Sequence, residues 1–278
     1  MADTRPLRWL IGKELERHRK AAGLTLEAAA SKTGIGKAKI NHLEIGRQAQ
    51  APDDIETLLT AYSVPAHHID RLTTLTARAD EAMWWAPWQH VVPDWLQTYV
   101  GLEALAKDVF WFEPFVIPGL LQTQDYAAAV TASTRSIRPD HGDRFVSFRM
   151  ARARRLTDEQ PLHLHAVIPE GALRLDVGNP DVRHDQLEHL VRMSELPNVE
   201  VQVIRPEDGT HAGLAGGFVR LDFGEAARPV IYLEQKDGAV YLQDDLQVEA
   251  YTMVASDLQR VAMSPQQSHA LIASMAEQ

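Results

Sequence analysis

Seven side chains between residues 32 and 47 have the types and the spacing to contact nucleic acid. The segment SKTGIGKAKINHLEIGR, Ser31–Arg47, carries four basic residues and one acidic residue, Glu44. Lys, Asn and His side chains can hydrogen-bond to base edges, and an alanine methyl can contact the thymine methyl group. Basic side chains beside them can neutralise phosphates. We therefore predict base contacts from Lys37, Ala38, Asn41 and His42, and phosphate contacts from Lys32, Lys39 and Arg47.

Short helices separated by glycine turns are needed to position these side chains. Apolar residues at helical spacing predict helices over about 7–22, 26–33 and 36–45, and a fourth helix through 55–62. Gly23, Gly34 and Gly46 follow the first three helices and can adopt the left-handed conformation that ends them. Thr25 can cap the second helix with its side-chain oxygen. Two short helices joined by a tight glycine turn predict a helix-turn-helix motif.

A small residue, a glycine and an apolar residue fix the geometry of this motif. Ala30 permits close helix approach, Gly34 takes the turn, and Ile40 points into the shared core. Because Ile40 packs inward with Ile35 and Leu43, the opposite side of the third helix stays uncovered and can enter a major groove. The alternative is that its lysines form only a solvated surface, but the surrounding motif favours contact with DNA.

The net charge separates the amino-terminal segment from the rest of the chain. The 278 residues have a formal net charge of −10, yet the first 50 hold 10 Lys and Arg against 5 Asp and Glu. The remainder hold 18 against 33. A cationic end on an anionic body indicates a polyanionic partner for that end alone, with double-stranded DNA as the leading candidate.

The composition also excludes several classes of protein. The chain has no cysteine, which excludes disulfides, thiolate metal sites and a cysteine nucleophile. No apolar run is long enough for a signal peptide or a membrane-spanning helix. We expect a cytoplasmic protein with no membrane partner. No nucleophile elbow, phosphate-binding loop or dinucleotide fingerprint occurs, so we expect no enzyme activity, no cofactor and no metal.

The amino-terminal motif resembles a known family. The stretch ELERHRKAAGLTLEAAASKTGIGKAKINHLEIGR is similar to the DNA-binding domain of the phage-repressor (Cro/C1-type, or XRE) family over about 55 residues. The resemblance implies an ion pair between Arg19, late in the first helix, and Glu44, which ends the recognition helix. The chain departs from the family at Leu26, where a phosphate-binding Gln is usual, and at Gly36, which replaces a Ser or Thr cap.

Helices and strands interleave in the longer carboxy-terminal part. Strands are predicted at LHLHAVI, VEVQVI, GGFVRLDF, PVIYLEQ and AVYLQ, with helices between and after them. The last two strands are joined by KDG, a good hairpin turn. These patterns predict an all-α helix-turn-helix domain followed by a larger α/β or α+β domain with a mixed, partly antiparallel sheet. We predict domain ranges of 1–65 for the DNA-binding domain, 66–98 for a helical linker and 99–278 for the larger domain.

The larger domain resembles a second family. PGLLQTQDYA, RMARARRL, LPNVEVQVI and SPQQSHALI occur in the order found in WhiJ-type actinobacterial regulators, in their uncharacterised carboxy-terminal domain. The resemblance implies transcription control together with a sensor or partner-binding domain. Members are commonly encoded beside a small partner protein, and some are described as antitoxin-like.

Two clusters in this part are candidates for binding a ligand or a partner. Trp84, Trp85 and Trp88 can form a ligand-stacking cage, but packing or a dimer contact is the favoured interpretation. Arg149, Arg152 and Arg155 lie on one predicted helix, where they either form a solvated surface or receive an acidic partner or an anionic ligand.

Together these patterns predict a sequence-specific, homodimeric transcription regulator. Paired recognition helices would read an inverted-repeat operator in double-stranded DNA. A small-molecule effector or a small partner protein on the larger domain would modulate DNA binding. The alternative is an antitoxin-like protein whose larger domain mainly sequesters a small partner protein and whose DNA binding serves autoregulation.

Overall fold

The chain folds into two compact units. The computed structural model describes residues 6–76, 84–88, 90–134, 137–225, 227–236 and 238–277. The first unit comprises Met1–Ala86, Asp94–Leu105 and Phe223–Pro229, and the second comprises Pro87–Pro93, Ala106–Asp222 and Val230–Gln278. Neither unit is one continuous stretch of chain, and the domain ranges predicted from the sequence stay predictions.

The first unit is helical, as predicted. Its core is built from apolar side chains that recur at helical spacing, including Leu10, Ile11, Leu15, Ile40 and Leu43. Its helices are α1 (Pro6–Ala21), α2 (Leu26–Thr33), α3 (Lys37–Glu44), α4 (Pro52–Ala61), α5 (Ala66–Thr76) and α6 (Asp94–Leu105).

The turns between the first helices follow the predicted glycines. Gly23, Gly34 and Gly46 have φ values of 69°, 75° and 68°, in the left-handed region that favours glycine. Thr25 caps α2, because its Oγ1 accepts a hydrogen bond from Ala28 N at 3.1 Å. Only three residues separate α2 from α3. This short connection is the one expected between the two helices of a helix-turn-helix.

Helix α6 is longer than the sequence predicts. We expect a helix over 102–106 preceded by a proline-containing loop, but α6 begins at Asp94. The start signal is Pro93 directly before it and the acidic Asp94 in its first turn, which complements the helix dipole. Within the predicted helical linker, 66–98, the structure has α5 up to Thr76, and residues 77–83 lie outside the described residues.

The second unit contains a six-stranded mixed sheet, which confirms the predicted fold class. The strand order is β3-β2-β1-β4-β5-β6, with β1, β2 and β3 parallel and the other three pairings antiparallel. Asp237 of the predicted hairpin turn lies outside the described residues. The strands are β1 (Asp108–Phe112), β2 (His163–Pro169), β3 (Val199–Ile204), β4 (Phe218–Asp222), β5 (Val230–Gln235) and β6 (Gly238–Leu242).

Helices cover the sheet of the second unit. Phe110 and Phe112 of β1 form one buried cluster with Ala255 and Leu258, so Trp111 between them points to the opposite face. Helices α7 (Gln124–Ser133) and α8 (Gly142–Ala153) connect β1 to β2, and α9 (Glu170–Arg174) and α10 (Pro180–Met193) connect β2 to β3. The chain ends with α11 (Asp245–Val261) and α12 (Pro265–Ala276).

Candidate nucleic-acid interface

Helix α3 has one buried face and one exposed face. Ile40 and Leu43 are 0% exposed and anchor the helix in the first unit. On the other side Lys37, Ala38 and Asn41 are exposed. His42 is half-buried beside them. The four side chains predicted to read bases therefore share a short helix whose polar face is uncovered, as groove insertion requires.

The carboxyl end of α3 is held to α1 by a buried ion pair. Arg19 Nε lies 2.6 Å from Glu44 Oε1, and a second Arg19 nitrogen lies 2.8 Å from Oε2. A third donates to the carbonyl of Leu24 at 2.8 Å. The hydrogen bond to Glu44 raises the pKa of Arg19. This bidentate geometry fixes the direction in which α3 leaves the core.

Two residues that hold α3 in place escaped the sequence-based prediction. Gln50 is buried, and its Nε2 donates to the carbonyl oxygens of Arg8 and Leu43, both at 2.8 Å. A Cβ at Gly12 would lie only 2.5 Å from the carbonyl oxygen of Glu44. The glycine therefore lets α1 approach the end of α3. A glycine inside a helical pattern is a recognisable signal of such an approach, whereas nothing in the sequence marks Gln50.

Two lysines of α3 form ion pairs within the first unit. Lys37 pairs with Glu27 of α2, and both side chains are exposed. Lys39 Nζ lies 2.8 Å from the carboxylate of Asp54 on α4. The exposed Lys37–Glu27 pair contributes little to stability, so a base can replace Glu27 as the partner of Lys37. The Lys39–Asp54 pair is half-buried.

The other two predicted phosphate contacts lie near the carboxyl ends of α2 and α3. Lys32 donates from Nζ to the carbonyl of Ala61, which gives this lysine a partner at the end of α4. Arg47 is exposed just beyond α3, and its backbone N–H donates to the carbonyl of His42 at 2.9 Å. Lys32 and Arg47 thus lie before and after α3 in the chain.

The tryptophans of the predicted cluster have aromatic or apolar neighbours. Trp84 and Trp85 belong to the first unit and meet edge to face, with ring centroids 6.0 Å apart. Trp85 is 3% exposed and approaches Gly101 of α6. Trp88 belongs to the second unit, and its ring lies 6.3 Å from that of Phe148. These contacts are those of packing, and a ligand cage stays a prediction.

The three arginines predicted to bind a ligand or partner, Arg149, Arg152 and Arg155, are half-buried or buried. Arg152 is 5% exposed, and its guanidinium lies 5.8 Å from the centroid of the Phe148 ring. Arg149 lies 5.2 Å from the centroid of the Phe145 ring. Arg155 donates to the carbonyl of Ala106 at 3.1 Å. The structure brings Arg149 and Arg152 together among aromatic rings and turns Arg155 towards the start of β1.

One surface group has the donor atoms of a metal site. His184, Asp185 and Glu188 on α10 place their ligand atoms within 4.8 Å of one another, and all three residues are exposed. His184 also lies 2.7 Å from the carbonyl of Ala276, and Glu188 lies 3.4 Å from Arg192. Surface ion pairing accounts for this arrangement, so the predicted absence of a metal stays a prediction.

Comparisons with known protein families agree with this architecture. Residues 10–72, which contain every residue predicted to contact DNA, match a helix-turn-helix domain. This match indicates a DNA-binding regulator but does not distinguish the WhiJ type. Across the described residues no helix is long and apolar enough to cross a membrane. Searches of curated proteins and of solved structures give no match. Residues 96–274 match a domain of unknown function, DUF5753, and because this match covers more than half of the chain, the chain belongs to the DUF5753 family.

Proposed function

We propose that the chain is a sequence-specific transcription regulator that binds double-stranded DNA through α3. The observation that carries this proposal is the division of α3 into an apolar face anchored by Ile40 and Leu43 and an uncovered polar face. On that face Lys37 and His42 donate to base edges, Asn41 pairs with adenine, and Ala38 meets a thymine methyl group. Lys32, Lys39 and Arg47 contact phosphates and fix the register.

The proposed regulator works as a homodimer on an inverted repeat. Helix α3 has 8 residues and offers four base-reading side chains, which is a small contact area for specific binding by one copy. Two copies related by a twofold axis would place their α3 helices in major grooves about 34 Å apart. Light scattering of the purified chain, free and with duplex DNA, measures the number of copies directly.

The second unit is proposed to sense a ligand or a small partner protein, as in WhiJ-type regulators. It is not proposed to catalyse a reaction. Support comes from its acidic composition, which makes it a poor DNA contact, and from the buried Arg152 and half-buried Arg149 of α8. We place the protein in the cytoplasm, where its DNA partner lies.

A binding experiment tests the role of α3. Duplexes selected from a random-sequence pool are titrated with the wild-type chain and with a Lys37→Ala/His42→Ala variant at several salt concentrations. We expect the variant to keep weak non-specific binding and to lose about 10-fold or more of its preference for the selected sequence, since each good base contact contributes about 1–3 kcal/mol.

A matched control separates base contacts from net charge. Lys236 and His163 are exposed residues of the second unit, and the Lys236→Ala/His163→Ala variant removes the same side-chain types. This control should keep the full preference. If the Lys37→Ala/His42→Ala variant also keeps it, α3 does not read the sequence.

A further inference from the structure

Arg149 of α8 carries a guanidinium group that forms no ion pair among the described residues, although the charges of Glu234 and Glu113 act to raise its pKa. Its Nη1 donates to the neutral Oε1 of Gln122 at 2.7 Å. Its Nε is shielded from solvent and has no hydrogen-bond partner. Burial, together with the neighbouring Arg152, lowers the pKa of Arg149 to about 10. The group therefore still carries its charge near neutral pH.

A poorly solvated charge without an ion pair is costly for a folded protein. Removing an ionised side chain from water costs several kcal/mol unless an opposite charge and hydrogen bonds replace the lost solvent. Gln122 replaces one hydrogen bond, and the Phe145 ring supplies a cation–π contact at 5.2 Å. Neither contact neutralises the charge. Groups retained at such a cost are concentrated at functional sites.

The surroundings of Arg149 are suited to a small anion. Arg152 lies three positions further along α8, so both side chains leave the same side of the helix. Glu113, just after β1, is half-buried, and burial together with Glu234 raises its pKa to about 7. Near neutral pH a substantial part of the Glu113 carboxyl groups is therefore uncharged. Protonation of Glu113 removes one of the two carboxylate charges that act on Arg149, the other being that of Glu234.

We propose that Arg149 and Arg152 bind the carboxylate or phosphate group of a small organic anion, the effector of the regulator. This inference rests on the proposed function for its biological role, but the binding site itself does not depend on DNA binding. Arg149 Nε and the remaining guanidinium hydrogens form a planar donor edge that matches a carboxylate or a phosphate.

Calorimetric melting of the full chain tests the site without DNA. The probes are inorganic phosphate and benzoate, each compared with chloride at the same ionic strength. We expect at least one probe to raise the melting midpoint of the wild-type chain by about 5–10 °C at saturation. A phosphate response alone would indicate a phosphate ester, and a benzoate response alone would indicate a carboxylate.

Three variants connect the response to Arg149. Arg149→Gln should abolish the shift, and Arg149→Lys, which keeps the charge but loses the planar donor edge, should retain part of it. Arg154→Gln removes an exposed arginine just after α8 and should respond like the wild-type chain. Circular dichroism checks that each variant folds.

The melting midpoint without a probe distinguishes a binding role from a structural one. Because Arg149→Gln removes an uncompensated charge and keeps a hydrogen-bonding amide, its midpoint should equal or exceed that of the wild-type chain. A clear decrease would mean that Arg149 stabilises the fold, and the inference would be wrong. It would also be wrong if neither probe shifts the wild-type midpoint. Failure of the DNA titration alone would leave the anion site intact and remove only its regulatory role.

Discussion

At the scale of single residues, the Arg19–Glu44 pair joins the core of the first unit to its DNA-facing helix. The two side chains are 8% and 3% exposed and form two short hydrogen bonds. Losing one partner leaves the other charge buried. We expect Arg19→Met or Glu44→Gln to reduce the free energy of unfolding by about 3–5 kcal/mol in urea denaturation. The Arg19→Met/Glu44→Met double variant should lose less than the two single losses combined. If the double variant loses as much free energy of unfolding as the two single variants together, the pair does not act as a unit.

His18 makes the stability of the first unit depend on pH. Burial, and then the neighbouring Arg17, lowers its pKa from 6.5 to about 4. Glu14 opposes this shift, and His68 and Arg228 add to it. Above pH 6.5 His18 is neutral in both states and contributes nothing. As pH falls from 6.5 towards 4, only the unfolded chain binds the proton, so the free energy of unfolding decreases by up to about 3 kcal/mol.

Replacing His18 isolates this contribution. Urea denaturation at pH 7, 6, 5 and 4.5 should show a shallower decrease for His18→Gln than for the wild-type chain. His163→Gln, at an exposed histidine of the second unit, should follow the wild-type curve. Parallel curves for His18→Gln and the wild-type chain would show that His18 is not held neutral in the folded state.

At the scale of elements, α2 and α4 supply carboxylates that pair with the lysines of α3 and would compete with the proposed DNA contacts. Glu27→Gln removes the partner of Lys37 at an exposed site, where the pair adds little to stability. We expect this variant to bind the selected duplex about two- to fivefold more tightly in a fluorescence anisotropy titration, with no change in melting midpoint. Asp54→Asn, which frees Lys39, should tighten binding to specific and non-specific duplexes alike. Weaker binding by Glu27→Gln would show that Glu27 itself positions Lys37 for contact.

The helices of the first unit could be predicted from the sequence because their signals are local. Apolar spacing and glycine positions set the bounds of α1 to α3 within one residue, whereas α4 begins three residues before the first apolar position used to predict it. The start of α6 was mispredicted because Pro93 is as compatible with a loop as with the residue before a helix. The hydrogen bonds of Gln50, and the lack of an ion pair at Arg149 among the described residues, depend on segments far apart in the chain. Such tertiary contacts leave no periodic pattern to find.

At the scale of the whole molecule, the charge distribution confines DNA contact to one end of the chain. The first 50 residues carry an excess of basic side chains, whereas the remainder hold 18 Lys and Arg against 33 Asp and Glu. The acidic remainder repels a duplex, so the salt dependence of binding reports only on contacts made by the helix-turn-helix domain. The slope of binding against salt therefore counts the phosphates contacted by that domain.

This slope also counts the copies of the chain on DNA. Lys32, Lys39 and Arg47 predict three phosphate contacts for each copy, and a dimer would give a slope of log K against log salt near −5. Arg47→Ala should reduce the magnitude of the slope by about 2 if a dimer binds and by about 1 if a single copy binds. Lys236→Ala, in the second unit, should leave the slope unchanged. A change near 1, together with a light-scattering mass of one chain per duplex, would contradict the homodimer, because a twofold complex must lose both copies of the Arg47 contact at once.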